Sequence, residues 1–360
     1  MTLPSPRPDL GELARYHSPQ LDVAVRLNTN ESPYPPPPGF VDAWLAGLQD
    51  APLHRYPDRE ARALRAALGD RLGQPPERLF CANGSNEVLQ SLLLAYGGAG
   101  RRALVFEPTY ALHSHIARIT GTEVVTADRD ADFLVSPTEA GILAASERPS
   151  VVFLCSPNNP TGTVEPKANV EALLARVGER SPTLLVVDEA YGEFAGWSAT
   201  ELVDDDTPLV VARTYSKVWS MAALRLGYAV APPAVVEQLE RVILPYHLAT
   251  PTQVAGVAAL AFEADMRQRV DALVEERHRL ASALTRLPGL TVYPSGANFV
   301  LVRVDSGGHA LWQRLVDRGV LVRDFSHVPR LEDCLRITVG TPAEDDVLLA
   351  ALRDSIDEAA

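Results

Sequence analysis

The sequence predicts an α/β fold, with a large three-layer αβα domain on a mostly parallel sheet and a smaller α+β domain. One observation behind this is a series of short apolar runs bounded by turn residues, at 103–106, 151–155, 184–188 and 209–213. Such runs are typical of strands buried on both faces. Stretches with helical spacing lie between the runs, which favours parallel pairing. The pattern then changes after Pro288, where short strand-like runs follow one another.

Proline positions and hydrophobic periodicity predict the elements of the N-terminal part of the chain. The first 40 residues are rich in proline, including Pro33 and the run at 35–38, and predict an extended, non-helical arm. Apolar residues at 59–72 and 86–96 recur with helical spacing. These two helices precede the series of buried strands.

A long helical region at about 252–287 ends at Pro288 and is expected to lead into the second part of the chain. We expect a large domain at 41–260, and a small domain formed by 261–360 together with the arm at 1–40. The small domain should contain strands near 291–304, 319–323 and 334–339 and a final helix from 342.

Composition and charge exclude several classes of protein. The net charge of −13 argues against a nucleic-acid partner, because phosphate neutralisation needs a basic face. No apolar run reaches the ~18–20 residues that span a bilayer, and the first residues lack the layout of a signal peptide. Three scattered cysteines, Cys81, Cys155 and Cys334, are typical of buried, reduced thiols. We therefore expect a cytoplasmic protein without membrane contact.

Lysine is almost absent from the chain. Of the 33 basic residues, Lys167 and Lys217 are the only lysines, so 31 are arginines. Arginine stays protonated, whereas a lysine amine can lose its proton and form a Schiff base. Lys167 follows Pro166 at a predicted helix start and is interpreted as a solvated surface residue. Lys217 is therefore the candidate for chemistry.

Polar side chains follow three consecutive predicted strands at the points where the strands end. The segment 156–162 (SPNNPTG) follows the run at 151–155, and 188–191 (DEAY) ends the run at 184–188. Thr214, Tyr215, Ser216 and Lys217 follow the run at 209–213, with Arg225 eight residues later. Open α/β sheets bind ligands at the carboxyl ends of their strands. Each residue alone is as typical of a turn or of packing, but the ordered set predicts a site.

Pyridoxal phosphate needs the groups that this set offers. Lysine provides the amine for an imine, and a carboxylate keeps the pyridine nitrogen protonated so that the ring can accept electrons. We therefore expect Lys217, Asp188 and Tyr191 to be catalytic. Tyr191 and Asn159 are expected to lie beside the phenolic oxygen of the cofactor. Ser216 and Arg225 are expected to hold the phosphate.

A helix start and an aromatic residue complete the predicted cofactor site. The segment 83–86 (NGSN) opens the helix at 86–96, so the Ser85 and Asn86 amides can face an anion at its positive end. Tyr110 follows the run at 103–106 and could stack on the cofactor ring, although a core tyrosine is an equal interpretation.

Nearly the whole sequence resembles the fold-type I aminotransferases, of class II, and in particular their histidinol-phosphate branch. The shared segments are LNTNESPYPPPP (27–38), HRYPD (54–58), ANGSNE (82–87), EPTY (107–110), CSPNNPTG (155–162), VVDEAY (186–191), RTYSK (213–217) and LRLGY (224–228). Those more particular to the branch are LPYHL (244–248) with the following TPTQ, GVLVRDF (319–325) and CLRITVGTPAEDD (334–346).

The resemblance implies transamination between L-histidinol phosphate and 2-oxoglutarate, giving imidazole-acetol phosphate and glutamate in histidine biosynthesis. It implies a homodimer with shared active sites, in which Tyr56 reaches the cofactor phosphate of the partner subunit. It also implies that Arg336 binds the substrate anion, and that Arg323 and Tyr16 contact the substrate phosphate.

Two positions depart from the family pattern. The segment 218–223 (VWSMAA) is bulky and lacks the usual glycine, and Asn86 replaces an aspartate. The bulky segment leaves a change of substrate open. An aromatic or other amino-acid aminotransferase is therefore the main alternative, and a threonine-phosphate decarboxylase is a further one.

Alternatives from other classes have less support. A non-catalytic regulator of this fold would need an added basic segment, for which the chain has no spare length. A nicotinamide dehydrogenase would need a strand–GxGxxG–helix pattern, which the glycines at 97–100 lack. His113 and His115 are interpreted as exposed helix histidines, and no metal site is expected.

Overall fold

The computed structural model describes residues 19–305 and 307–358, and residues 3–5, 7, 11 and 13 of the N-terminal arm. The strands are β1 (Val25–Leu27), β2 (Leu79–Ala82), β3 (Arg102–Glu107), β4 (Glu123–Asp128), β5 (Val151–Cys155), β6 (Leu184–Asp188), β7 (Leu209–Thr214), β8 (Gly227–Val230), β9 (Leu290–Val292), β10 (Phe299–Val304), β11 (Val320–Asp324) and β12 (Cys334–Thr338). The helices are α1 (Phe40–Gln49), α2 (Arg62–Leu72), α3 (Ser85–Tyr96), α4 (Leu112–Ile119), α5 (Pro137–Glu147), α6 (Lys167–Val177), α7 (Pro233–Val242), α8 (Thr250–Leu260), α9 (Glu263–Leu284), α10 (Gly308–Asp317) and α11 (Pro342–Asp357).

The larger sheet has seven strands in the order β2-β8-β7-β6-β5-β3-β4. Strands β3 to β7 run parallel, and β8 is antiparallel to both of its neighbours. Alternate residues of each strand enter separate cores. On β5, Val152 and Leu154 pack into one core and Val151 and Phe153 into the other. The predicted α/β class and its mostly parallel sheet are confirmed.

The smaller sheet has five strands in the order β1-β11-β12-β10-β9. Its first strand comes from the N-terminal part of the chain, and β1 pairs in parallel with β11. The other pairings are antiparallel. Residues just after β1 are therefore held beside β11 and β12. The domain boundaries proposed at 41–260 and at 1–40 with 261–360 remain a prediction.

The helical region predicted at 252–287 is present, and it consists of two helices. The structure contains α8 and α9, which are separated at Ala261 and Phe262. The Phe262 ring meets Phe40 of α1 edge-on, with ring centroids 6.2 Å apart. The break therefore lets Phe262 pack inward, a tertiary contact that helical periodicity does not reveal.

Cys81, Cys155 and Cys334 are buried and unpaired, as predicted. Among the described residues, no helix combines the length and the apolar character needed to cross a bilayer.

Candidate active site

A cavity of about 140 Å³ opens at the carboxyl ends of β5, β6 and β7. The last residues of these strands, Cys155, Asp188 and Thr214, contribute to its wall. Every residue predicted to bind the cofactor except Tyr56 also lines it. The full lining is Ser85, Asn86, Tyr110, Cys155, Asn159, Asp188, Ala190, Tyr191, Thr214, Ser216, Lys217 and Arg225.

The two lysines occupy opposite environments. Lys217 lies in the cavity, where its Nζ donates to the Thr29 carbonyl at 3.0 Å and is 5.7 Å from the centre of the Tyr191 ring. Burial, with Arg336 and Arg225 nearby, lowers the pKa of Lys217 to about 8. Lys167 is half-exposed and pairs with Glu201 at 3.0 Å, which raises its pKa. Near neutral pH, Lys217 therefore has a much larger neutral, nucleophilic fraction than Lys167.

The Asp188 carboxylate is held by a buried histidine. His113 Nε2 lies 3.0 Å from Asp188 Oδ2, and the Ala190 amide donates to Asp188 Oδ1 at 3.1 Å. The His113 ring stacks on Phe153, with centroids 5.0 Å apart and planes 4° apart. One carboxylate oxygen is thereby fixed by an aromatic side chain and the other by the main chain.

The prediction that His113 is an exposed helix histidine is wrong, because its exposed fraction is 0%. His113 shares the buried face of α4 with Ile116 and Ala117, at the spacing i, i+3 and i+4. That spacing could have identified it in the sequence. His115 is partly exposed.

One end of the cavity is suited to an anion. Helix α3 begins at Ser85 without a capping side chain, so its first amides carry the positive end of the helix dipole. Arg225 Nη1 donates to Ser216 Oγ at 3.3 Å. A Cβ on Gly84 would lie 2.6 Å from Arg225 Nη2, so the absence of a side chain there lets the guanidinium approach the helix start. These groups together match a phosphate dianion.

The remaining lining residues are joined by hydrogen bonds. Tyr110 OH donates to Asn86 Oδ1 at 3.2 Å, so the asparagine that departs from the family pattern accepts a bond through its side chain. Asn159 Oδ1 accepts from Arg336 Nη1 at 2.5 Å. Tyr191 OH accepts from Asn30 Nδ2 at 2.9 Å. Asn30 was not singled out from the sequence.

The two predicted substrate arginines lie opposite one another on neighbouring strands. Arg323 of β11 and Arg336 of β12 are partners in the antiparallel register. Arg336 is buried, its Nη2 donates to the Asn28 carbonyl at 2.6 Å, and its bond to Asn159 links it to the cavity wall. The Arg323 guanidinium lies 6.0 Å from the Phe325 ring centre. Neither arginine lines the cavity itself, and Arg336 contacts its wall through Asn159.

Tyr56, which was also predicted to bind the cofactor, does not line this cavity. Tyr56 is 79% exposed and stacks on Tyr246 with ring centroids 4.4 Å apart. Tyr16 lies outside the described residues.

The bulky segment 218–223 does not line the cavity. Trp219 turns inward, stacks on Tyr215 at 5.0 Å and lies beneath the Arg71 guanidinium, also at 5.0 Å. Its bulk therefore fills the core beside the lysine loop and leaves the cavity next to Lys217 open.

The donor set fits pyridoxal phosphate: an amine of lowered pKa, a buried carboxylate, a phenol, and an anion cradle that a Cβ at Gly84 would disturb. A family profile described as aminotransferase class I and II matches residues 23–352.

Individual relatives agree along almost the whole chain. The histidinol-phosphate aminotransferase of Frankia casuarinae is 46% identical over 357 residues, covering 96% of this chain and 89% of that protein. The histidinol-phosphate aminotransferase of Thermobifida fusca is 46% identical over 353 residues, covering 96% and 94%. The crystal structure of histidinol-phosphate aminotransferase from Sinorhizobium meliloti in complex with pyridoxal-5'-phosphate superposes with a TM-score of 0.91 at 26% identity, covering 100% of this chain and 99% of that one. The chain belongs to the class I and II aminotransferase family, and within it to the histidinol-phosphate aminotransferases.

Proposed function

We propose that this protein is a pyridoxal-phosphate-dependent aminotransferase that transfers the amino group of L-histidinol phosphate to 2-oxoglutarate. The products are imidazole-acetol phosphate and glutamate, in a step of histidine biosynthesis. The proposal rests on Lys217, whose amine of lowered pKa lies in a cavity that Arg336 contacts through Asn159, with Arg323 opposite Arg336 on the neighbouring strand. Relatives of that name at 46% identity support the choice of substrate.

The bound cofactor supplies an electron-withdrawing ring, which lowers the barrier to removing a proton from the carbon that bears the substrate amine. Asp188, oriented by His113, holds a proton at the pyridine nitrogen. Arg225, Ser216 and the start of α3 bind the phosphate. The cofactor is thereby fixed at both ends.

Lys217 holds the cofactor and then moves the proton. With substrate bound, the Lys217 amine would act as the base that takes the proton from the substrate carbon bearing the nitrogen, and its conjugate acid would return that proton to complete the shift. A pKa of about 8 suits both steps, because a base and its conjugate acid are then both populated near neutral pH.

The arginines select the substrate. A planar guanidinium pairs with either a phosphate or a carboxylate, so Arg336 can bind histidinol phosphate in one half-reaction and 2-oxoglutarate in the other. A phosphate monoester carries nearly two charges, and Arg323, the cross-strand partner of Arg336, is the candidate for the second cation.

A substrate panel tests this function. The purified, cofactor-loaded protein should turn over histidinol phosphate faster than phenylalanine, and it should release no carbon dioxide from threonine phosphate. Preference for phenylalanine would favour an aromatic aminotransferase, and decarboxylation would favour the threonine-phosphate enzyme.

We further propose that the protein acts in the cytoplasm as a homodimer with shared sites. The three unpaired, buried cysteines support a reducing compartment. Tyr56 and Tyr246 form an exposed aromatic stack, and Leu53 and Leu244 are exposed by 73% and 76%. Exposed apolar side chains of this kind mark a contact surface.

Subunit mixing tests the shared site. Tyr56→Ala and Lys217→Ala subunits should each be inactive alone, and after exchange each heterodimer should regain up to one working site. A mixture that stays inactive after verified subunit exchange would contradict the shared-site arrangement. Sedimentation velocity gives the oligomeric state independently.

A further inference from the structure

The segment 28–30, directly after β1, connects the smaller sheet to the cavity. Its three consecutive residues contact three groups that the proposed function uses. The Asn28 carbonyl accepts from Arg336 Nη2 at 2.6 Å, the Thr29 carbonyl accepts from Lys217 Nζ at 3.0 Å, and Asn30 Nδ2 donates to Tyr191 OH at 2.9 Å. Asn30 is the member of the segment that acts through its side chain.

Asn30 is held on every side. It is 1% exposed and has a φ of 55°, a left-handed conformation that asparagine adopts more readily than most residues. Its amide N–H donates to Thr338 Oγ1 at 3.0 Å, and its carbonyl accepts from Asn298 Nδ2 at 3.1 Å. The Thr338 hydroxyl in turn donates to Asn30 Oδ1 at 2.9 Å. With Oδ1 engaged by Thr338, the Nδ2 group is directed at Tyr191.

This contact determines how the Tyr191 hydroxyl is used. An amide N–H can only donate, so the Tyr191 oxygen must accept from Asn30, and its own hydrogen is left for a partner in the cavity. Burial raises the pKa of Tyr191 to about 12, so the hydroxyl stays protonated at working pH. A hydroxyl that accepts one hydrogen bond also becomes a stronger donor of the next.

We propose that Asn30 is a positioning residue that makes the Tyr191 hydroxyl a hydrogen-bond donor to the phenolic oxygen of the cofactor. The inference rests on the proposed function, since it needs the cofactor in this cavity. Because the Asn30 side chain is fixed by Thr338 of β12, the Tyr191 hydroxyl is oriented from the smaller sheet, the sheet that also carries Arg336.

The test is a pH titration of the absorbance of the cofactor-loaded enzyme without substrate. A donor at the phenolic oxygen withdraws negative charge, so weakening it should make the chromophore keep its proton to higher pH. Asn30→Ala should raise the apparent pKa read from the spectrum by about one unit, the equivalent of one hydrogen bond. Asn30→Asp should raise it further, because its carboxylate accepts the Tyr191 hydrogen and adds negative charge.

A double-mutant cycle separates this role from general packing. In a Tyr191→Phe background, Asn30→Ala should cause no further shift, because the hydroxyl through which it acts is gone. Asn298→Ala is the matched control. It removes the hydrogen bond to the Asn30 main-chain carbonyl, leaves the bond between the Asn30 side chain and Tyr191 in place, and should not change the spectrum. Equal shifts by Asn30→Ala in both backgrounds, or no shift in either, would overturn the proposal.

Two features keep the outcomes distinct. The aspartate in Asn30→Asp has nearly the same shape as asparagine and keeps the acceptor for Thr338. This variant can therefore be titrated even if Asn30→Ala does not fold. The titration uses no substrate, so a wrong substrate assignment leaves it valid. Failure of the wild-type protein to bind the cofactor would instead contradict the proposed function.

Discussion

The two sheets contribute to the cavity in different ways. The larger sheet supplies Asp188, Ser216 and Lys217 from the ends of parallel strands and the loops that follow them. The smaller sheet carries Arg323 and Arg336 within two antiparallel strands, where the register sets them side by side, and Arg336 contacts the cavity wall through Asn159. Changes on the larger-sheet side should reduce reaction with every substrate, and changes on the smaller-sheet side should alter which substrate is preferred.

The largest effect is expected at Lys217. Lys217→Ala should abolish covalent attachment of the cofactor and nearly all transamination, because no other group in the cavity can replace the amine. Borohydride reduction followed by peptide mapping measures the attachment. Lys167→Ala is the matched control and should change neither, since Lys167 pairs with Glu201 on the surface. A label found on Lys167 would contradict the assignment.

Asp188→Asn should retain the cofactor and lose most of the rate with all substrates. A charged hydrogen bond contributes about 1.5–3 kcal/mol, which corresponds to a loss of roughly 10- to 150-fold in kcat. His113→Phe removes only the bond that orients Asp188 and should cost less. Steady-state kinetics with two substrates measure the loss of kcat in each variant. Near-normal turnover of Asp188→Asn would show that this carboxylate only forms the turn with Ala190.

Arg323→Ala should affect phosphorylated and unphosphorylated substrates differently. The KM for histidinol phosphate should rise more than the KM for an unphosphorylated aromatic amino acid, by a difference of about 1.5–3 kcal/mol. Arg336→Ala is the comparison. Loss of an arginine that binds the anion of either substrate should weaken the binding of both. Equal losses in Arg323→Ala would mean that this residue does not bind the phosphate, and the aromatic aminotransferase would then be favoured.

The smallest effect concerns the pH dependence of cofactor attachment. The folded-state pKa of Lys217 lies below that of an ordinary lysine, so half of the amine is already neutral near pH 8. The rate at which pyridoxal phosphate attaches to the cofactor-free enzyme should therefore change by less than about twofold between pH 8 and 10. Stopped-flow absorbance measures this rate. An ordinary lysine would give a rise of more than about 50-fold over the same range.

The sequence alone determined the buried strands, the α/β class and the residues at the strand ends. This was possible because short apolar runs identify two-sided strands, and because parallel strands bring their carboxyl ends to one edge of a sheet. Lys217 was identifiable because lysine is otherwise nearly absent. The roles of Arg323 and Arg336 came only from resemblance to the family.

Tertiary structure decided the contacts between residues that are distant in the chain. Asn30 reaches Tyr191 across 161 positions and Thr338 across 308, and His113 reaches Asp188 across 75. No local pattern reports such pairings, because they depend on how two sheets and the helix α4 are placed in space. The break between α8 and α9, the inward turn of Trp219 and the alignment of Arg323 with Arg336 were decided in the same way, by packing and strand register.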